Sequence, residues 1–293
     1  MQYQSIIRIL NHCDIDCKVL DVAKAKRILA AEFSLAPSGI ISIDGFDYTK
    51  NDVFNELEDV DFAQLLQIHI LIWRTPVLLN FLEKSESPPA GKEDEFRYYV
   101  DSRRFLSDFI SPYFAVSFSK VMGRLLNEAR FNEACSWRWR LYDIDNEYDR
   151  RVAMSSTTTY LTDFIKLLKN INDVTYKNHL LQLEKFFSQQ WSSFVNFLPD
   201  TFYGITNELL SSMHNFTLII KHTDRELCRK MSRQMIEVRN IEPELRELIA
   251  REHDYMQVIG HNRVNDICEH TNNGGRVIFC DCLFHEKYLC FMG

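Results

Sequence analysis

Glycine and proline are scarce in this chain, at 9 and 7 of 293 residues. No G-x-x-x-x-G-K-[ST] and no G-x-G-x-x-G occurs, so no stretch is built to wrap backbone N–H groups around a nucleotide phosphate. G-x-S-x-G is absent as well, which removes the strained nucleophile turn of the α/β hydrolases. Positive charge is not in excess: 34 Lys and Arg against 41 Asp and Glu leave a net charge of −7, which argues against a broad nucleic-acid surface. The opening residues, MQYQSIIRIL, lack a basic start followed by an apolar run, so no signal segment is expected. Eight cysteines are scattered rather than set in a framework, and reduced thiols in a cytoplasmic setting follow from that.

Apolar residues at 46% and charged residues at 26% are enough for a folded core and exclude wholesale disorder. Few helix breakers and 21 phenylalanines favour long helices packed through aromatic side chains. The most apolar stretch, Asp61 to Lys84, carries large apolar residues on every side of a helix. Gln64, Gln67, His69, Arg74 and Asn80 interrupt it too often for a membrane span of about 20 apolar residues. It reads as a central buried helix, bent or broken near Pro76. No membrane segment is expected.

The clearest local signal precedes it. Asp44-Gly45 between Ile41-Ser42-Ile43 and Phe46-Asp47-Tyr48 predicts a two-residue β-hairpin. Thr49 with Asp52 three residues on predicts a capped helix containing Phe54 and Leu57. Ser85 to Lys92, SESPPAGK, is the candidate linker. The expected organisation is therefore an amino-terminal helical segment with a hairpin over 1–84, a helical bundle over 92–271 and a β-hairpin tail over 272–293.

In the bundle, Phe114, Phe118, Val121 and Leu125 recur at helical spacing after Pro112, placed at a helix start. Leu161, Phe164, Ile165 and Leu168 follow. Leu180, Leu183, Phe187, Trp191, Phe194 and Leu198 predict one regular helix ended by Pro199. Ile205 to Ile220 and Leu227 to Val238 give two more, and Pro243 opens the last. No fixed repeat appears, so a bundle of roughly 9–12 helices is preferred to a solenoid. Val277–Phe284 and Tyr288–Met292 read as the paired strands of the tail.

Four groups of residues carry chemical interest. Cys268, His270, Cys280, Cys282, His285 and Cys290 offer the thiolate and imidazole ligands zinc prefers, without the two-residue spacing of common fingers. The competing reading is cysteine as a small buried apolar residue. His12, Cys13 and Cys17 form a weaker group. His253-Asp254, with His214 or His222 before and Asp266 or Asp281 after, resembles the ligand order of the all-helical HD-type metal phosphohydrolases. That resemblance implies a metal held by His253 and Asp254. Glu252 falls within the apolar face of the last helix and His253 at its edge; burial without a partner would raise the Glu252 pKa, and pairing with an arginine such as Arg246 or Arg239 is the commoner case.

Asp143, Asp145, Glu147 and Asp149 alternate as in a cation loop, but the required glycine is missing and Arg138, Arg140, Arg150 and Arg151 flank them. Arg225, Arg229 and Arg233 recur every four residues as a basic stripe diluted by Glu226 and Glu237. Trp137 and Trp139, in SWRWR, point too far apart in a helix to share a face, so an exposed aromatic anchor is expected there.

The expectation is a mainly α protein: a multi-helix bundle with a small amino-proximal β-hairpin and a carboxyl-terminal one. Without catalytic motifs, it reads as a non-enzymatic interaction or scaffold subunit that docks through Trp137, Trp139, Phe279, Phe284 and Phe291. A protein partner or self-association is expected, nucleic acid and membrane are not, and zinc is the single cofactor the residues suggest. The alternative is a metal-dependent phosphohydrolase centred on His253-Asp254.

Overall fold

A computed structural model of the chain describes residues 2–88, 104–137, 144 and 146–261. Among these the protein is mainly helical, with one two-stranded antiparallel sheet. The tail expected over 272–293 lies outside the described residues.

Two compact units form, and neither is a single run of chain. The first comprises residues up to 127 together with 137–157; the second comprises 128–136 and the described residues from 158 onward. Residues 89–92 of the linker expected over Ser85–Lys92 lie outside the described residues.

The first unit begins with α1 (Ile6–His12) and α2 (Val22–Leu35). β1 (Ile40–Ile43) then pairs with β2 (Phe46–Thr49), Ile41 opposite Tyr48. Both turn residues, Asp44 and Gly45, have positive φ (52° and 84°), the conformation a tight hairpin of matching twist demands. Thr49 closes the strand and opens α3 (Lys50–Leu57): its Oγ1 accepts from the Asp52 N–H at 3.2 Å and donates to the Asp52 carboxylate at 2.6 Å. The apolar stretch divides into α4 (Phe62–Trp73) and α5 (Pro76–Lys84), turned by 102° where Pro76 interrupts the ladder. No single helix among the described residues is long and apolar enough to cross a membrane.

Ile6, Leu10, Leu29, Phe33, Ile41, Val53, Leu57, Phe62 and Leu66 make one continuous core here. The unit is completed by α6 (Arg104–Asn127) and the first half of α8 (Glu147–Asn170). Pro112 lies inside α6 rather than at its start. Ser119 Oγ meets Ser155 Oγ at 2.9 Å and Ser156 Oγ at 2.8 Å, and the missing side chain of Gly123 leaves room for Ser156.

The second unit contains α7 (Phe131–Ser136) and the rest of α8, followed by α9 (Leu180–Glu184) and α10 (Gln189–Asn196). The helix expected over 180–198 is therefore broken. Ser188 turns extended, with ψ 145°, and its hydroxyl accepts from the Trp191 N–H to cap α10. That cap lets Phe186 and Trp191 enter the core at angles one continuous helix would not allow. α11 (Tyr203–Ile220), α12 (Arg225–Ile236) and α13 (Pro243–His261) follow as the periodicity predicts, with Leu209, Met213, Phe216, Leu227, Met231 and Met235 buried. Thirteen α-helices in all lie among the described residues, more than expected because α1, α7 and α9 are too short to show a full stripe.

Candidate functional site

A buried polar cluster inside the first unit surrounds Glu83. The α5 stripe carries this carboxylate inward with Phe81 and Leu82, and its side chain is 0% exposed. A lone buried carboxylate would be costly, so its partners matter. Arg8 of α1 brings Nη2 to 2.6 Å from Oε2, and the Ser5 N–H donates to Oε1 at 3.1 Å. The other end of the Arg8 fork reaches Asp44 in the hairpin turn at 2.5 Å. The guanidinium also lies over the rings of Phe46 and Trp73, at 4.8 and 5.2 Å. Burial works against this charge, but Glu83 and Asp44 more than offset it, so Arg8 is held more firmly protonated than usual.

A second chain of contacts adjoins the first. Tyr3 Oη lies 2.8 Å from His69 Nδ1, and the two rings stack with centroids 5.6 Å apart. His69 Nε2 approaches Glu56 Oε1 to 2.7 Å, off the line a good hydrogen bond needs. Hydroxyl, imidazole and carboxylate in series resemble the parts of a nucleophile relay. The chemistry does not follow. Tyr3 is fully enclosed, and burial, reinforced by Glu56 and Glu83, pushes its phenol well above the ordinary value. A phenol so held stays protonated and has no substrate face. The series is a buried polar tie between the chain's start, α3 and α4.

The second unit holds the other reactive groups. His253 Nδ1 lies 2.9 Å from Ser232 Oγ of α12, and Asp254 is exposed. His214 is buried and its pKa is lowered, chiefly by burial, while His222 is exposed. Glu252 is half-buried, with Oε1 unpartnered among the described residues; its charge is felt by His214 and Cys228. Burial pushes the Cys228 thiol up to about 12, with Asp224 and Glu252 adding to it, and Sγ donates to the Thr217 carbonyl at 3.4 Å. A thiol in that state is not a nucleophile near neutral pH.

Among the described residues no group of three or more His, Cys, Asp and Glu side chains is placed to hold a metal ion. Cys268, His270, Cys280, Cys282, His285 and Cys290 lie outside the described residues, as do Asp143, Asp145, Phe279, Phe284, Phe291 and Trp139. Glu147 pairs with Arg151 at 3.3 Å, and Asp149 accepts from Ser111 Oγ at 2.7 Å. Cys13 and Cys17 are half-buried beside the first core, their thiols raised mainly by burial.

An exposed aromatic was expected from the pair Trp137 and Trp139. Trp139 lies outside the described residues; Trp137 is 6% exposed, stacked on Phe81 at 5.4 Å and edge-on to Phe118 at 6.1 Å. Its neighbours are basic in sequence, but three aromatic rings together bury more apolar surface than an exposed indole would.

Sequence reasoning missed Arg8, Glu83 and the Tyr3–His69 contact. The available signal was His69 and Glu83 themselves, polar residues on helices otherwise apolar all round, which require buried partners. No protein family, curated protein or solved structure matches this chain.

Proposed function

We propose that the chain is a non-enzymatic interaction or scaffold subunit of a multi-protein assembly, working in a reducing, cytoplasmic compartment. The observation that carries this reading is the disposition of its buried reactive groups. Glu83, Arg8, Tyr3 and His69 are engaged with one another, and Cys228 is held as an inert thiol. Groups tied in this way hold elements together; catalysis needs an acid, base or nucleophile poised at an open face.

The alternative is metal-dependent phosphoester hydrolysis at His253-Asp254, and one experiment separates the two. Purified chain is assayed on phosphomono- and phosphodiesters with Mg²⁺, Mn²⁺ and Co²⁺, alongside His253→Ala and Asp254→Ala. The expected result is no turnover that depends on either residue. In parallel, native mass measurement should find the chain in a stoichiometric complex, lost when 276–293 is deleted while the helical signal persists. Metal-dependent turnover abolished by both alanine changes would overturn the interaction reading.

A further inference from the structure

The helix α12, RELCRKMSRQMI, concentrates positive charge in an acidic protein. It carries four cations, Arg225, Arg229, Lys230 and Arg233, against one carboxylate, Glu226, while the chain as a whole is −7. Leu227, Cys228, Met231, Ser232, Gln234 and Met235 are buried and fix which face looks inward. The outward face presents Arg225 and Arg233 exposed, Arg229 partly so, and Ile236 at 42% exposure. At roughly 100° per residue, Ile236 falls on the same ridge as Arg225, Arg229 and Arg233.

The neighbouring acids do little to neutralise this ridge. Glu226 is shared between Arg229 at 3.4 Å and Lys230 at 4.0 Å. Glu237 accepts from Ser192 Oγ at 2.8 Å on the adjoining α10. Arg225 and Arg233 form no ion pair among the described residues, and Arg239, just past the helix, is exposed too.

We infer that this ridge is a docking surface for an acidic protein segment bearing one apolar anchor, an assignment that rests on the interaction-subunit reading above. Charge complementarity selects the partner's sign. The arginines recur every fourth residue, a rise of about 6 Å per step, which suits carboxylates at the same spacing along a partner helix. Their planar forks favour bidentate carboxylate contacts. Ile236 selects protein over nucleic acid. An exposed aliphatic at the end of a basic ridge has no use for phosphates but fits an apolar side chain beside a row of acids. Three arginines also supply few of the phosphate contacts that nucleic-acid binding draws on.

The test uses the full chain and a labelled helical peptide with glutamate at every fourth position and one leucine row. A glutamine version of the peptide and a single-stranded DNA of equal charge are the controls, with fluorescence anisotropy read across a salt series. The acidic peptide should bind, weakening with salt, and neither control should match it. Arg225→Glu with Arg233→Glu should weaken binding at least about tenfold, and Ile236→Ser should weaken it several-fold without changing the salt slope. All three positions are exposed, so the variants should retain the helical signal and melting behaviour of the parent; Arg225→Gln with Arg233→Gln checks the loss without reversed charge. Equal peptide binding by parent and charge-reversed chain would overturn the assignment, and so would tighter binding of the DNA than of the peptide. If native mass measurement still finds the chain in a complex after the ridge is reversed, the ridge falls and the interaction reading stands. Turnover dependent on His253 with no complex at all overturns both.

Discussion

The first unit carries one pair of opposite charges, Arg8 and Glu83, into its interior among aromatic side chains. The second fills its interior with Phe, Trp, Leu and Met and keeps its cations outside on α12. The two interiors fail in different ways. Apolar contacts are non-directional, so a core of that kind tolerates a change of shape if volume is kept. A buried ion pair tolerates loss of neither partner, because the survivor is left as an unpaired charge.

The largest expected effect tests that contrast directly. Glu83→Gln keeps the shape and removes the charge, and it should cost the first unit about 3 kcal/mol or more. In the second unit, the equally shape-conserving Met231→Leu should cost less than about 1.5 kcal/mol. Denaturant unfolding of each variant measures both. Replacing the pair together, Arg8→Met with Glu83→Leu, should recover much of the loss. A Glu83→Gln cost no larger than that of Met231→Leu would erase the distinction.

Alkaline pH gives an intermediate effect. Tyr3, Tyr48 and Tyr113 in the first unit all have phenols raised above the ordinary value, each mainly by burial. The native state favours the protonated phenol, so this contribution is whole below about pH 10 and drains away as pH rises further. In the second unit the Cys228 thiol, pushed up to about 12, has the same sign but starts to lose its contribution nearer pH 9. A stability profile from pH 8 to 11 with phenolate and thiolate absorbance should show both. At neutral pH an alkylating reagent should label Cys13 and Cys17 slowly in the native protein and reach Cys228 only on unfolding. Native labelling of Cys228 would mean that the second interior is open.

The smallest effect is at Gly123. Alanine there gains up to about 1 kcal/mol of helix propensity, but its Cβ would meet Ser156 Cβ at 3.1 Å and Oγ at 3.2 Å. The balance should be a loss under about 1 kcal/mol, read from the melting temperature; Ser156→Gly in the same chain should turn it into a gain.

What the sequence made legible was local. The Asp44-Gly45 turn, the Thr49 cap and the break at Pro76 each depend on residues within a few positions of one another, and each is found where expected. The stripes of α11 and α12 were equally plain, since burial on one face needs only helical period. The failures were contests between local and distant demands. Ser188 breaks a stripe that periodicity alone would continue, because a serine hydroxyl competes for backbone N–H groups as well as it tolerates a helix. Trp137 joins Phe81 from far along the chain, and no local rule reports that. Arg8 and Glu83 stand 75 residues apart in sequence, so each signals a need for a partner without naming it.

The interleaving of the two units has a consequence for synthesis. Residues 137–157 belong to the first unit and 128–136 to the second. A ribosome therefore delivers a fragment of the second unit before it has delivered the last piece of the first. The first unit cannot close as its amino-terminal run emerges; Ser111, Ser119 and Phe81 must wait for Asp149, Ser156 and Trp137. Until then Phe81 and Phe118 lack the Trp137 ring that packs on them in the folded unit, and unpacked apolar surface of this kind is what chaperones bind. A translational pause beyond residue 157 would favour correct closure, and one between 128 and 136 would prolong the exposure.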